Sequence, residues 1–332
     1  MFTTMPEPAQ RRLTLLLDAA REHHTDQLAV VWRGEAREWC FSDADGPLHV
    51  QSVTKSVVNL IVGRLVTLGH LGSIDEPVHR LYPEWRQGRK RLITVRMLLE
   101  HTSGLQNVAM ATEEVNPSPD VVQLALCAEL DAEPGTVWAY NNKAVNLLAG
   151  IVERASGRKL DAFARDELFG PMGIEGFAWE RDQAGNPRAS GGLLMRAADL
   201  AKLGQLVLQR GEWRGRRLVA EAWFAEMERR AGEGDESTLL WLQLFDDTTG
   251  ERLAYRAEGD MGGYLLAFPL RQLVVVRLVG EATARRLDPL WDTPPTTYRA
   301  FLERRAAFLF PCFYTLASEL AAAIGGRVTT AP

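Results

Sequence analysis

Residues Val50–Leu60 read VQSVTKSVVNL, an apolar run with a polar pair, Ser52 and Lys55, at its mouth. The run continues as IVGRLVTLGHLG, apolar nearly all the way round, which is the pattern of a helix buried in the middle of a domain. Gly69 and Gly72 can end it. If Ser52 opens this helix, its hydroxyl sits at the positive end of the helix dipole, and Lys55, one turn on, lies on the same face. Of the 38 Lys and Arg residues only five are lysines: Lys55, Lys90, Lys143, Lys159 and Lys202. Arginine stays charged under all protein conditions, whereas a buried amine can lose its proton and serve as a base. Lys90, inside the basic run Arg86–Arg91, reads instead as an exposed cation.

Working outward, an amphipathic first helix precedes QLAVVWRG and EWCFSD, two β-rich stretches around Gly34 and Glu35 that read as a hairpin. From about Asp75 to Leu208 the periodicity is mainly helical, as in VRMLLEHTSGL, KAVNLLAGIVERASG and MRAADLAKLGQLVLQRG, the last closing on Gly211 as a C-cap. Between Ser237 and Val279, short β runs separated by DTTG and DMGG read as an antiparallel meander. A helical stretch then follows, which Pro311 is expected to kink or split. The expectation is an α+β chain forming a single domain over 1–332. Its α+β lobe spans about 1–74 and 212–332, and a mainly helical lobe of about 75–211 is inserted in it.

At 332 residues and 46% hydrophobic content the chain can bury a large core. Its net charge of −5 comes from interspersed signs, so nucleic acid has no basic stripe to grip. No run of eighteen apolar residues and no leader-like start is present, so a cytoplasmic protein without membrane attachment is expected. Cys40, Cys127 and Cys312 are odd in number, widely spaced and without a CxxC pattern. They argue against a disulfide framework or a zinc site and read as core thiols. The six histidines form no recognisable ligand spacing, and the serine chemistry read below requires neither metal nor organic cofactor, so none is expected.

Ser52 and Lys55 match the S-x-x-K arrangement in which an amine beside a serine helps remove its proton. Alone the pattern is weak, since Ser156 and Lys159 satisfy it too, on a polar stretch where Gly157 ends a helix. Tyr140 and Asn142, in PGTVWAYNNKAVN, form the one Tyr-x-Asn pair, placed between a loop and a periodic helix. A phenol beside an ammonium can act as general base, and a carboxamide can hold the lysine or a substrate amide; packing of the tyrosine on Trp138 with Asn142 as an N-cap is the structural alternative. A tetrahedral intermediate further needs two donors for its oxyanion. One would be the backbone N–H of Ser52, and AEGDMGGYLLAFP offers a tight turn at a strand edge for the other.

SVTK, LLEHTSGL, YNN, SGGLLMRAADLAKLGQLVLQRGEW and GGYLLAFP together resemble the serine β-lactamase and penicillin-binding-protein superfamily, on its class C, family VIII esterase and 6-aminohexanoate-dimer hydrolase side. The resemblance covers roughly Leu48 to Gly280. It implies a β-lactamase/transpeptidase-like fold, an antiparallel sheet flanked by helices plus a helical lobe. It carries the nucleophile onto Ser52, its partner onto Lys55, and the Tyr-x-Asn pair onto Tyr140 and Asn142. Ser103 and Ser190 fall in stretches that the family uses to support the site. By position the third motif falls on Ala257, Glu258 and Gly259, with Gly262 and Gly263 as the turn and the Asp260 N–H as second oxyanion donor.

Here the chain departs from the pattern. The cation that faces a substrate carboxylate in the family is replaced by Ala257, Glu258 adds a negative charge, and Arg256 or a distant arginine is left as a substitute. The expected function is therefore a serine hydrolase acting on a small-molecule ester or amide through an acyl-enzyme on Ser52. A β-lactamase or D-Ala-D-Ala peptidase is the alternative, and a non-catalytic binding or sensor descendant is the alternative of another class.

Overall fold

The computed structural model describes residue 2 and residues 4–107, 114–229, 237–246, 248–293 and 298–325. Helix α1 (Glu7–Glu22) leads to strands β1 (Gln27–Trp32) and β2 (Glu35–Cys40). Arg33 and Gly34 join them with φ of 50° and 83°, the positive values of the hairpin turn whose twist suits its strands. Next come β3 (Leu48–His49), α2 (Val53–Thr67), α3 (Val95–Leu99), α4 (Val121–Cys127), α5 (Asn142–Ser156), α6 (Leu160–Ala164), β4 (Ala178–Trp179), β5 (Leu193–Met195) and α7 (Ala197–Leu208). After β6 (Glu212–Trp213), β7 (Arg216–Arg217), α8 (Glu221–Glu228) and β8 (Ser237–Thr238), the meander β9 (Trp241–Phe245), β10 (Arg252–Gly259), β11 (Gly263–Phe268) and β12 (Leu273–Leu278) precedes α9 (Glu281–Leu287), α10 (Tyr298–Ala306) and α11 (Phe313–Ile324).

The chain divides into two compact units, one of residues 1–53, 194–209 and 242–332, the other of 54–193 and 210–241. In the first, the strands run in the order β2-β1-β12-β11-β10-β9. The pairings between β1, β12, β11 and β10 are antiparallel, with Ala29, Val276, Leu265 and Ala257 in one cross-strand row and Leu28, Arg277, Tyr264 and Glu258 in the next. Every residue of β1, β11 and β12 is buried, because the sheet is covered on both faces. On one face Leu13, Leu16 and Ala20 of α1 and Phe313, Ala317 and Leu320 of α11 pack on Leu28, Val30, Leu266 and Val275. Helix α7 packs on the other, across β1, β11 and β12. A Cβ at Gly204 would stand 2.6 Å from the Val274 side chain, so glycine permits that approach. This docking groups Ala197–Leu208 with the sheet rather than with the helices that precede it in sequence. Gly211 does not cap α7: the cap residue is Gln209, and Gly211, with φ 85°, turns the chain beyond it.

The second unit is built mainly from helices, with the short strands β4, β6, β7 and β8. Helix α5 contacts α3, α4 and α6. Val53–Leu65 of α2 are buried without interruption, as the all-round apolar pattern requires. Its polar members are paired: Ser56 donates to Leu240 O at 2.7 Å, Asn59 donates to Leu239 O at 2.7 Å and accepts from the Trp223 and Trp241 indoles at 3.1 and 3.2 Å.

The cysteines are not core thiols. Cys40 closes edge strand β2 and Cys127 ends α4, both exposed, and Cys312 is partly buried; all three are free. Among the described residues no helix is long and apolar enough to cross a membrane, and no group of three or more His, Cys, Asp or Glu could hold a metal ion.

Candidate active site

Ser52 is the residue immediately before α2, and Lys55 is the third residue of that helix. The turn leading in is bent: Gln51 has φ 50°, a left-handed backbone that a non-glycine residue rarely adopts, and Val53 N–H donates to Val50 O at 3.1 Å. Such strain persists only where surrounding structure holds it. In the same unit, the end of β10 lies directly against this turn. A Cβ on Gly259 would stand 2.6 Å from Val50 O and 2.9 Å from Gln51 Cβ. Only glycine lets the strand come this close.

From Gly259 the chain reverses into β11, with Gly262 N–H donating to Gly259 O at 2.9 Å and Gly262 at φ 68°. Arg277, fully buried, holds this turn: it donates to Gly262 O at 2.5 Å, Phe308 O at 3.2 Å, His23 O at 2.6 Å and Thr25 Oγ1 at 2.9 Å. Burial pulls the Arg277 guanidinium down to about 10. Asp260 stands at the head of the turn, its carboxylate 3.8 Å from Arg305.

The third-motif position needs one correction. Strand alternation puts Ala257 and Gly259 on one face of β10 and Arg256 and Glu258 on the other. Arg256 lies 3.2 Å from Glu258 and its guanidinium stands 5.3 Å from the Tyr314 ring; the Tyr314 hydroxyl donates to Glu258 at 2.6 Å, and Arg305 is 3.9 Å from the same carboxylate. Burial and the Glu258 charge push the Tyr314 phenol up. Arg256 and Glu258 thus stand on the face of β10 opposite Ala257, paired with each other. Both belong to an ion-pair cluster under α11.

In the second unit, Lys55 is buried and donates to Ser190 O at 2.5 Å. Ser190 is itself held from α5: its N–H donates to Asn146 Oδ1 at 3.1 Å, and Asn146 Nδ2 donates to Ser190 Oγ at 3.2 Å. The Lys55 ammonium stands 4.8 Å from the centre of the Tyr140 ring, so residues 85 positions apart in sequence come together. Asn141, not Asn142, caps α5, its Oδ1 accepting from Ala144 N–H at 3.0 Å. The Asn142 side chain does not cap the helix; its Oδ1 is buried and has no hydrogen-bond partner among the described residues. Ser103 buttresses its loop by accepting from Leu105 N–H at 3.3 Å. The second S-x-x-K copy is spent on structure, with Ser156 donating to Val152 O at 2.7 Å and Lys159 paired with Glu153 at 2.8 Å.

The sequence profile of the family described as Beta-lactamase matches residues 21–290. The chain belongs to the beta-lactamase family. It is similar to the esterase EstB of Burkholderia gladioli, 32% identical over 149 residues, which are 39% of this chain and 38% of that protein. It is also similar to the esterase/beta-lactamase LipL of Mycobacterium tuberculosis, 28% identical over 171 residues, covering 50% of this chain and 39% of that one. The matched stretch thus spans less than half the length of these curated relatives. Among solved structures, the octameric penicillin-binding protein homologue from Pyrococcus abyssi superposes with TM-score 0.65 at 20% identity, covering 82% of this chain and 74% of that chain. EstCE1, a hydrolase with promiscuous acyltransferase activity, superposes with TM-score 0.67 at 17% identity, covering 91% and 98%. These likenesses identify the fold as β-lactamase/transpeptidase-like, in agreement with the α+β expectation.

Two residues beside the candidate site went unassigned in the sequence, His101 and Asn146. Asn146 follows Asn142 by four positions, so both amides share a face of α5, a spacing readable in advance. His101 had no such signal, because its partners come from the loop before α5.

Proposed function

We propose that this chain is a serine hydrolase that cleaves an ester or amide of a small molecule through an acyl-enzyme on Ser52. The Ser52 hydroxyl attacks the substrate carbonyl as its proton passes to the Tyr140–Lys55 pair, which accepts it once one of the two has given up its own proton, as phenolate beside ammonium or amine beside phenol. The N–H groups of Ser52 and Asp260 carry the oxyanion, and Asn142 orients the substrate and Lys55. The relay returns the proton to the leaving alcohol or amine as the acyl–Ser52 ester forms. Water, activated by the same relay, then adds to that ester and releases the acid. A lysine suits the relay because an ammonium can give up a proton, which a guanidinium cannot.

The observation that carries this reading is the placement of the Lys55 ammonium against the Tyr140 ring. The unpartnered Asn142 Oδ1, an acceptor suited to a substrate N–H, supports it. Family membership, with the esterase EstB and the esterase/beta-lactamase LipL among the relatives, supports the serine hydrolase part of this reading. Ala257, on the face of β10 opposite Arg256, favours neutral esters and amides over β-lactams or D-Ala-D-Ala peptides, whose carboxylate would lack the family's cation.

The test is turnover of p-nitrophenyl acetate and butyrate and of nitrocefin beside the Ser52→Ala variant, with mass spectrometry of trapped adducts. Ester turnover that Ser52→Ala abolishes, with little nitrocefin cleavage, is expected. Equal activity in Ser52→Ala overturns the assignment of the nucleophile, and rapid nitrocefin cleavage makes the protein a β-lactamase. Labelling of Ser52 by a fluorophosphonate without turnover of a broad ester and amide panel identifies a binding or sensor descendant.

A further inference from the structure

His101 lies two residues beyond α3 with φ 58°, and its side chain is 4% exposed. It grips the chain on both sides of Tyr140: its carbonyl accepts Ala139 N–H at 2.8 Å and its Nδ1 accepts Asn141 N–H at 3.1 Å. Between these two bonds its imidazole packs on the Tyr140 ring, centroids 4.8 Å apart and planes at 40°, and meets the Trp138 ring edge-on at 6.0 Å. An Nδ1 that accepts leaves the proton on Nε2, so the ring is a neutral imidazole. Among the described residues, the charged or titratable neighbours are the Lys55 ammonium from α2 and the Tyr140 phenol from the loop. Burial first, and the Lys55 charge second, push the imidazole down to about 3, so it stays neutral across the range in which an ester assay is run.

A left-handed backbone, two hydrogen bonds that bracket one residue, and ring contact with that same residue together exceed what filling a core position requires. We propose that His101 is a positioning residue for Tyr140, clamping the backbone before and after it and backing its ring with an uncharged imidazole so that the phenol stays beside Lys55. This rests on the reading of Tyr140 as part of the proton relay. A histidine is suited to the task because it combines an aromatic face with an in-plane acceptor. A protonated ring here would lose the Asn141 bond and set a second cation against Lys55.

The experiment is a double-mutant cycle on p-nitrophenyl butyrate hydrolysis with wild type, His101→Asn, Tyr140→Phe and the double variant. Asparagine tolerates the left-handed backbone and offers an acceptor for Asn141 N–H, but removes the ring. His101→Asn is expected to lower kcat roughly tenfold or more with KM changed less than about threefold, and to cost less than about twofold further in the Tyr140→Phe background. The same fold loss in both backgrounds would show a general structural role and overturn the proposal, as would wild-type kcat in His101→Asn. A Tyr140→Phe variant as active as wild type overturns the relay reading and this inference with it, an outcome distinct from the other two. Should His101→Asn fail to fold, His101→Gly, which adopts the left-handed backbone freely and loses both ring and acceptor, takes its place in the same cycle with the same criteria.

Discussion

Lys55 donates to the carbonyl oxygen of Ser190 at 2.5 Å, and Ser190 is held in turn by two hydrogen bonds with Asn146, one donated and one accepted. The ammonium is therefore aimed by a loop that is itself fastened to α5. An arginine at position 55 would have to fit a planar, longer head into a position only 3% exposed, and it could not release a proton there. Lys55→Arg is expected to keep the fold, judged by far-UV circular dichroism, and to slow acylation by a fluorophosphonate at least ~10³-fold. Near-normal acylation would assign Lys55 a structural role only.

Asn142 Oδ1 is buried and forms no hydrogen bond among the described residues, so truncation removes none of those partners from it. Asn142→Ala is expected to change stability by less than about 1 kcal/mol while lowering kcat/KM for amides at least ~10-fold. A thermal denaturation series with parallel kinetics checks this. A large stability loss without a kinetic effect would make the side chain structural.

Arg256 and Ala257 face opposite sides of β10. Arg256→Ala should leave the ratio of nitrocefin to ester turnover unchanged, and should lower stability by about 1 kcal/mol, because Glu258 then loses its nearest cation while Tyr314 and Arg305 remain. A selective fall in nitrocefin turnover would mean that Arg256 serves a substrate carboxylate after all.

Gly259 meets the Val50–Gln51 turn without room for a methyl group. Gly259→Ala should push that turn, and Ser52 with it, out of register. The expected result is at least a ~10-fold loss of kcat with far-UV circular dichroism retained, since small displacements of a nucleophile are costly. Wild-type kcat in this variant would show that the turn gives way without consequence.

His101 is held at about 3 in the folded chain, against about 6.5 when unfolded. Between those values the unfolded chain binds a proton that the folded chain refuses, so this group makes stability fall as pH drops below about 6.5, by up to ~1.4 kcal/mol per unit, and contributes no slope above it. Urea midpoints from pH 4.5 to 7.5 should therefore fall more steeply toward acid for wild type than for His101→Asn. Parallel curves would show that the imidazole is readily protonated in the folded protein.

Local pattern alone, read in the sequence, determined the buried helix Val53–Thr67, the β1–β2 hairpin and the meander from β9 to β12, because periodicity and turn residues act within a few positions. The Tyr140–Asn142 pair beside the start of α5 was legible for the same reason. Tertiary structure alone decided that Asn141 rather than Asn142 caps that helix, that the face of β10 with Arg256 and Glu258 is the one meeting Tyr314 of α11, and that His101 brackets Tyr140. The face a strand residue occupies follows from pairing register, where a shift of one residue inverts every side chain. The partners of a buried polar group lie wherever folding brings them: 40 positions along the chain for His101 and Asn141, and 135 for Lys55 and Ser190.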